Sequence, residues 1–218
     1  MPLIAKDKPG VDYDPIPEGA YTALCYSVID LGTQENKTFG GTKREVLIQW
    51  ELPECRGEFE RDGKTRNLPR AISQRFRLSL NEKSNLRKIL QNWRGKAFTN
   101  EELEGFDIER VLGTPCQMQI VHNEGKDGKT YANIGTVMAL PKNTAAPKTE
   151  NPLTFFSFEG VTKGLPVLPD FPEWIEKIIK DSEEWFRLER GEDLSEASGP
   201  VVQEQKKPVE VYEDDLPF

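Results

Sequence analysis

Five segments with strand character, and one helical segment between the third and the fourth, predict a mainly β protein whose order fits a five-stranded OB-fold barrel. A C-terminal helical appendage and a disordered acidic tail follow the barrel. The position of the helix and the strand count are the two observations that favour the OB-fold, a small and partly open Greek-key barrel. Another small β-barrel or an α+β sheet is the alternative that this pattern leaves open.

The first three strands are predicted from residue type and alternation. Residues 20–32 are rich in Tyr, Val, Ile and Thr and are flanked by glycine, which is typical of a long strand. Residues 43–52 and 71–80 alternate apolar and polar side chains, which is the period of a half-buried strand. Between these two strands, residues 53–70 are predicted to be a polar loop or a flexible hairpin around an Asp-Gly turn signal.

The period then changes to that of a helix. Between residues 81 and 96 the apolar side chains recur at i, i+3, i+4 and i+7, which predicts an amphipathic helix that ends at Gly95. Thr99 and Glu102 have the spacing of a capping box, so a short helix is expected to begin there. Two further strands are predicted in residues 115–125 and 129–141, joined by a Gly-Lys-Asp-Gly-Lys hairpin.

The chain divides into four regions. Residues 1–18 form an N-terminal arm, and residues 19–142 form the barrel. Residues 143–191 are predicted to be a linker and an amphipathic helix, whose broad apolar stripe packs either on the barrel or against a second subunit. Residues 192–218 are poor in apolar periodicity and rich in acid, so they are predicted to be disordered.

Charge is distributed unevenly along the chain, whose formal net charge is -8. Residues 19–142 carry 19 Lys and Arg against 16 Asp and Glu, so the barrel is at about +3. Residues 192–218 carry 2 Lys against 8 Asp and Glu, so the tail is at about -6. A mildly basic body with a strongly acidic tail indicates that the two parts have separate roles.

Several functional classes are poorly supported by the sequence. It has no apolar run of the roughly 18 residues that a membrane span needs and no secretory leader, so we expect a cytoplasmic protein without membrane contact. Three widely spaced cysteines do not predict a disulfide framework or a zinc site. His122 is the single histidine, and phosphate-binding loops and nucleophile elbows are absent, so we predict neither an enzyme nor a cofactor.

Nucleic-acid binding is better supported, because basic residues are concentrated in and around the third strand. From Arg56 to Arg77, seven Lys and Arg stand against three acids. Phosphate-pairing cations together with aromatic stacking platforms are typical of proteins that bind single strands without sequence preference. The candidate DNA-binding residues are Lys43, Arg44, Phe59, Arg61, Lys64, Arg66, Arg70, Arg75, Arg77 and Tyr131. The alternative is that these cations form only a solvated face.

The chain ends in an acidic run followed by Asp-Asp-Leu-Pro-Phe. This ending resembles the C-terminal tip of bacterial and phage single-stranded-DNA-binding proteins, with leucine where many members have isoleucine. The resemblance implies that the tip docks on replication and recombination proteins of phage or host, with the Phe ring in an apolar pocket. The residues that would bind these partners are Asp214, Asp215, Leu216, Pro217 and Phe218.

Residues 20–140 look similar to single-stranded-DNA-binding proteins of tailed phages and prophages, notably in "LSLNEKSNLRKILQNWRGKAF" and "KTYANIGTVMALPK". This resemblance implies binding of single-stranded DNA during phage DNA replication, recombination and repair, in the cytoplasm of a bacterial host. It leaves monomer, dimer and higher homo-oligomer open. The alternative function is that of a phage accessory protein that does not bind DNA and whose tail mimics the host tip.

Overall fold

The computed structural model describes residues 14–35, 40–61 and 63–197, and its main element is a curled antiparallel sheet that forms a half-barrel. The strands lie in the order β3-β2-β1-β4-β5. Their bounds are β1 Gly19–Glu35, β2 Thr42–Arg61, β3 Lys64–Arg77, β4 Pro115–Glu124 and β5 Thr130–Met138. The predicted mainly β class with five strands in the barrel region is confirmed.

Helix α1 (Asn85–Arg94) lies between β3 and β4 in the chain, as the apolar period predicts. It ends at Gly95, whose φ of 67° is the left-handed conformation that glycine adopts at low cost. Helix α2 (Asn100–Glu104) follows, and the predicted capping box between Thr99 and Glu102 is present. Both predicted helix signals are therefore confirmed.

The inner face of the half-barrel carries the main hydrophobic core. Trp50 of β2 is fully buried and its ring centroid lies 5.7 Å from that of Trp93 in α1. Within the described ranges β3 and β5 are not paired, and α1 covers the gap between them. Ile89 of α1 lines this gap with Phe76 of β3 and Val137 of β5. The helix thus buries the edge that the open sheet would expose.

Residues 53–70 form a hairpin, the second of the two predicted alternatives, and not a loop, because β2 and β3 continue as a paired two-stranded ribbon. Arg56 pairs with Pro69, and the pairing runs to Arg61 opposite Lys64. A register shift between Leu52 and Arg56 separates this β2–β3 ribbon from the part of the two strands that lies in the barrel. The turn signal was correct, but alternation alone did not show how far the strands extend.

The outer face of β1 and β2 is covered by the C-terminal appendage. Strand β6 (Thr154–Phe156) pairs in parallel with β1, and helices α3 (Glu173–Lys180) and α4 (Glu183–Glu189) follow. The single helix predicted here is wrong, because Ser182 caps a second helix by accepting a hydrogen bond from the backbone N–H of Trp185.

The apolar stripe of the appendage packs on the barrel of its own chain. Side chains of both helices form a second core with β1 and β2. Its fully buried members are Ile29, Leu31, Leu47, Ile175 and Ile179. Trp174 and Phe186 lie outside this core and are about half exposed, at 47% and 46%.

Residues 149–151, near the start of the predicted linker-and-helix region, are attached to the barrel by Glu51 of β2, which is fully buried. Glu51 accepts hydrogen bonds from the Thr149 hydroxyl and from the backbone N–H groups of Glu150 and Asn151, each at 2.8 Å, and also from the Asn151 side-chain amide. These bonds satisfy a charge that would otherwise be costly to bury.

Residues 1–13 of the predicted arm and residues 198–218 of the predicted tail, including the tip, lie outside the described residues. In the part of the chain that the structure describes, no helix has both the length and the apolar character to cross a membrane.

Candidate nucleic-acid interface

The β2–β3 ribbon and the β4–β5 hairpin project from the same end of the half-barrel. The register of the sheet shows this, because the start of β1 pairs with the end of β4, and Leu24 pairs with Glu51 near the base of the ribbon. Both features that carry the predicted aromatic residues Phe59 and Tyr131 are therefore at one end of the molecule.

The ribbon has two different faces, because side chains alternate along each strand. One face carries Phe59 with its cross-strand partner Arg66, and Lys64 and Leu68 share that face. Lys64 and Arg66 are exposed and, among the described residues, form no ion pair. Arg61 ends β2 opposite Lys64, and its side chain is outside the description. The opposite face carries Arg56 with Glu58, Glu60 and Asn67, so its acids outnumber its one cation.

A cavity of about 570 Å³ lies beside the ribbon and is lined by Phe59, Arg66 and Arg70, by the acids Asp14 and Glu58, and by residues 150–152. Gly57 makes this arrangement possible, because a Cβ there would lie 3.0 Å from Nε of Arg70 and 3.2 Å from the Phe59 ring. The Arg70 guanidinium donates to the carbonyl oxygen of Asp14 at 2.6 Å, which is a neutral partner. Arg70 therefore keeps its positive charge available to the cavity.

Tyr131 presents an aromatic ring at the same end of the molecule. Its side chain is 48% exposed, and its hydroxyl donates to Asp127 Oδ2 at 2.6 Å across the β4–β5 hairpin. That hydrogen bond lowers the pKa of Asp127 and raises the pKa of Tyr131. The ring is also held against Gly125, where an added Cβ would lie 2.5 Å from it. A solvent-exposed ring fixed in this way suits stacking with a base.

Lys43, Arg75 and Arg77 lie at the opposite end of β2 and β3, on the outer face. Arg75 forms an ion pair with Glu45, and Lys43 Nζ lies 2.7 Å from the other oxygen of that carboxylate. Glu45 is only 5% exposed, so these two cations satisfy a buried charge. Arg77 is exposed and makes no ion pair within the described ranges.

Arg44 does not share a surface with Lys43, because consecutive residues of a strand point to opposite faces. Its guanidinium donates to Asp30 Oδ2 at 2.6 Å at the mouth of the half-barrel. A second cavity, of about 810 Å³, is lined there by apolar side chains and by Glu104, Asp107 and Glu159. Arg44 is the one cation of this lining and is already paired with Asp30, so its placement does not support its predicted role.

The predicted residues therefore form three groups rather than one surface. The structure brings together Phe59, Lys64, Arg66 and Arg70, with Tyr131 at the same end. It separates Lys43, Arg75 and Arg77 from them and places Arg44 in a third environment.

His122 and two of the cysteines contribute to packing and hydrogen bonding within the fold. The backbone N–H of His122 donates to Glu18, and its Nε2 lies 2.7 Å from the carbonyl oxygen of Ile16, so it holds residues 16–18 against β4. Burial raises the pKa of the Cys25 thiol to about 12, and burial also raises the pKa of Cys116. Across the described ranges, no group of His, Cys, Asp and Glu is arranged to hold a metal ion.

Comparisons of this chain with protein-family models, with curated proteins and with solved structures found no match.

Proposed function

We propose that this protein binds single-stranded DNA with little sequence preference, and that the β2–β3 ribbon carries the site. The observation that supports this most directly is the ribbon face that combines Phe59 with exposed Lys64 and Arg66 beside an open cavity. Exposed cations that follow a backbone, alternating with rings that stack on bases, are the two parts that such binding needs. Tyr131 supplies a second ring at the same end.

The half-barrel is, in this proposal, an OB-fold. Five antiparallel strands with a helix between the third and the fourth agree with that fold, and its partly open barrel agrees with the gap between β3 and β5. In OB-folds the face of strands 2 and 3 binds oligonucleotides, which is where the exposed cations of this chain lie.

The acidic tail recruits replication or recombination proteins of phage or host through Asp214, Asp215, Leu216, Pro217 and Phe218, in the cytoplasm of the bacterial host. This part rests on the resemblance of the tip and on the net charge of residues 192–218. Deletion of residues 212–218 should leave DNA affinity equal or higher and abolish capture of a replication partner. Unchanged capture would contradict this role.

A second candidate is an accessory protein that does not bind DNA and acts through its tail. It is favoured by the acids that already neutralise part of the predicted site, since Asp30 holds Arg44 and Glu45 holds Arg75. If that reading is correct, oligonucleotides will not bind even at low salt.

Titration of the full chain with oligo-dT at several salt concentrations distinguishes the two candidates. Affinity should fall as salt rises, because each neutralised phosphate releases a counterion. The variant Lys64→Gln with Arg66→Gln should reduce the slope of log K against log salt by about 1.4, at roughly 0.7 per contact on a single strand. The control Lys163→Gln with Lys177→Gln removes the same charge from the exposed surface of the appendage and should leave the slope unchanged. Absence of binding at low salt would refute the proposed function.

A further inference from the structure

The guanidinium of Arg56, at the base of the ribbon, is held in one orientation by Asn67. Its Nε donates to Asn67 Oδ1 at 2.5 Å, and its Nη2 donates to the Asn67 carbonyl oxygen at 2.7 Å. The other edge of the guanidinium, formed by Nη1 and Nη2, faces Glu150. Nη1 lies 2.5 Å from Oε1 and Nη2 lies 3.3 Å from Oε2. The two carboxylate oxygens of Glu150 thus occupy a bidentate oxyanion position, which a phosphate group also fits.

We infer that Arg56 is a phosphate-binding residue of the DNA site, and that Glu150 occupies its binding edge until DNA displaces it. The inference rests on the proposed function. Arg56 begins the basic stretch identified in the sequence but is outside the set of residues predicted to bind DNA, and its partner Glu150 lies 94 residues away in the chain.

The Arg56–Glu150 pair is suited to exchange. The side chains are 36% and 50% exposed, so water screens their attraction and the pair is weak. The hydrogen bond from Arg56 lowers the pKa of Glu150, which therefore remains ionised and competes with phosphate at neutral pH. The backbone of Glu150 stays bound to buried Glu51, so only the side chain has to move for the edge to open.

The position of Glu150 connects the exchange to the rest of the site. Glu150 lines the cavity of about 570 Å³ together with Arg66, whereas Arg56 lies behind it on the other face of the ribbon. A strand whose backbone pairs with Arg66 and Arg70 would bring a phosphate to this wall of the cavity. Movement of the Glu150 side chain would then remove a negative charge from the wall and expose a cation that is already oriented.

A double-mutant cycle in the full-length protein tests the inference, with oligo-dT titrations at several salt concentrations. Glu150→Gln should bind about threefold to tenfold more tightly than the wild type at low salt. Its slope of log K against log salt should equal that of the wild type, because the phosphate contact of Arg56 forms in both complexes. Arg56→Gln alone should reduce that slope by about 0.7, because one phosphate contact is lost. Arg56→Gln added to Glu150→Gln should remove the gain in affinity.

The matched control is Glu192→Gln. Glu192 also pairs with two cations, the exposed Arg190 at 2.6 Å and the half-buried Arg187 at 3.1 Å, but it lies in the appendage. Glu192→Gln changes the net charge by the same amount as Glu150→Gln. An equal gain in affinity in Glu192→Gln would therefore show a general charge effect and overturn the inference. Two other results would overturn the inference and leave the proposed function standing. In one, the wild type binds oligo-dT and Glu150→Gln binds no more tightly. In the other, the higher affinity of Glu150→Gln persists when Arg56→Gln is added. Absence of binding in both the wild type and Glu150→Gln would overturn the proposed function as well.

Discussion

Substitution of Gly32 by alanine should detach the appendage from the sheet. Gly32 has a φ of +69°, and an added Cβ would lie 2.6 Å from Cβ of Ser182 and 2.7 Å from Oε2 of Glu184. The left-handed conformation costs alanine about 1 kcal/mol. The clash would also displace Glu184, which accepts hydrogen bonds from the backbone N–H of Thr33 at 2.6 Å and from its hydroxyl at 2.7 Å.

These two hydrogen bonds to a carboxylate set the size of the effect. Each contributes about 1.5 to 3 kcal/mol when well formed, and partial exposure reduces that value. The free energy of unfolding should therefore fall by roughly 3 to 5 kcal/mol, measured by urea denaturation. Amide hydrogens of residues 173–189 should exchange faster than those of the barrel strands.

Gly63→Ala is the matched control for this substitution. Gly63 has the same φ of +69°, but an added Cβ there meets nothing within 4 Å. Its cost should be limited to about 1 kcal/mol for the backbone conformation. If Gly32→Ala destabilises the protein by no more than Gly63→Ala does, the close packing of α4 on β1 is not what holds the appendage.

Two further outcomes are expected. Tyr131→Ala should weaken oligo-dT binding by about 1 to 3 kcal/mol. The melting temperature should fall only slightly, because the ring is 48% exposed and the one hydrogen bond lost is that to Asp127. Equal affinity in titration would remove Tyr131 from the site. Cys25 and Cys116 should resist iodoacetamide at pH 8 in the native protein, because burial raises the pKa of both thiols and little thiolate is present. Mass spectrometry should find them labelled only in denaturant, and labelling at the rate of a free cysteine would contradict their burial.

Much of the fold could be predicted because its signals are local. The alternation in β2 placed Trp50 in the core, and the period of α1 placed Leu86 and Leu90 there; all three are buried. The end of α1 at Gly95 and the capping box at Thr99 also depend only on neighbouring residues. The division of the appendage into α3 and α4 was missed, because the apolar stripe continues across Ser182.

The sequence by itself determined the mainly β class, the number of barrel strands, the helix that covers their open gap and the contrast between a basic body and an acidic tail. Only the tertiary structure decided which cations are exposed and unpaired by an acid, and so available to a phosphate. Lys64 and Arg66 remain exposed, whereas Arg56 meets Glu150 across 94 residues and Arg75 meets Glu45 across 30. The physical reason is the separation in sequence over which each feature is determined. The period of a strand or helix is set within about ten residues. The partner of a charged side chain is set by how distant segments of the chain pack. Ionic neutralisation therefore cannot be predicted from a count of charges along the chain.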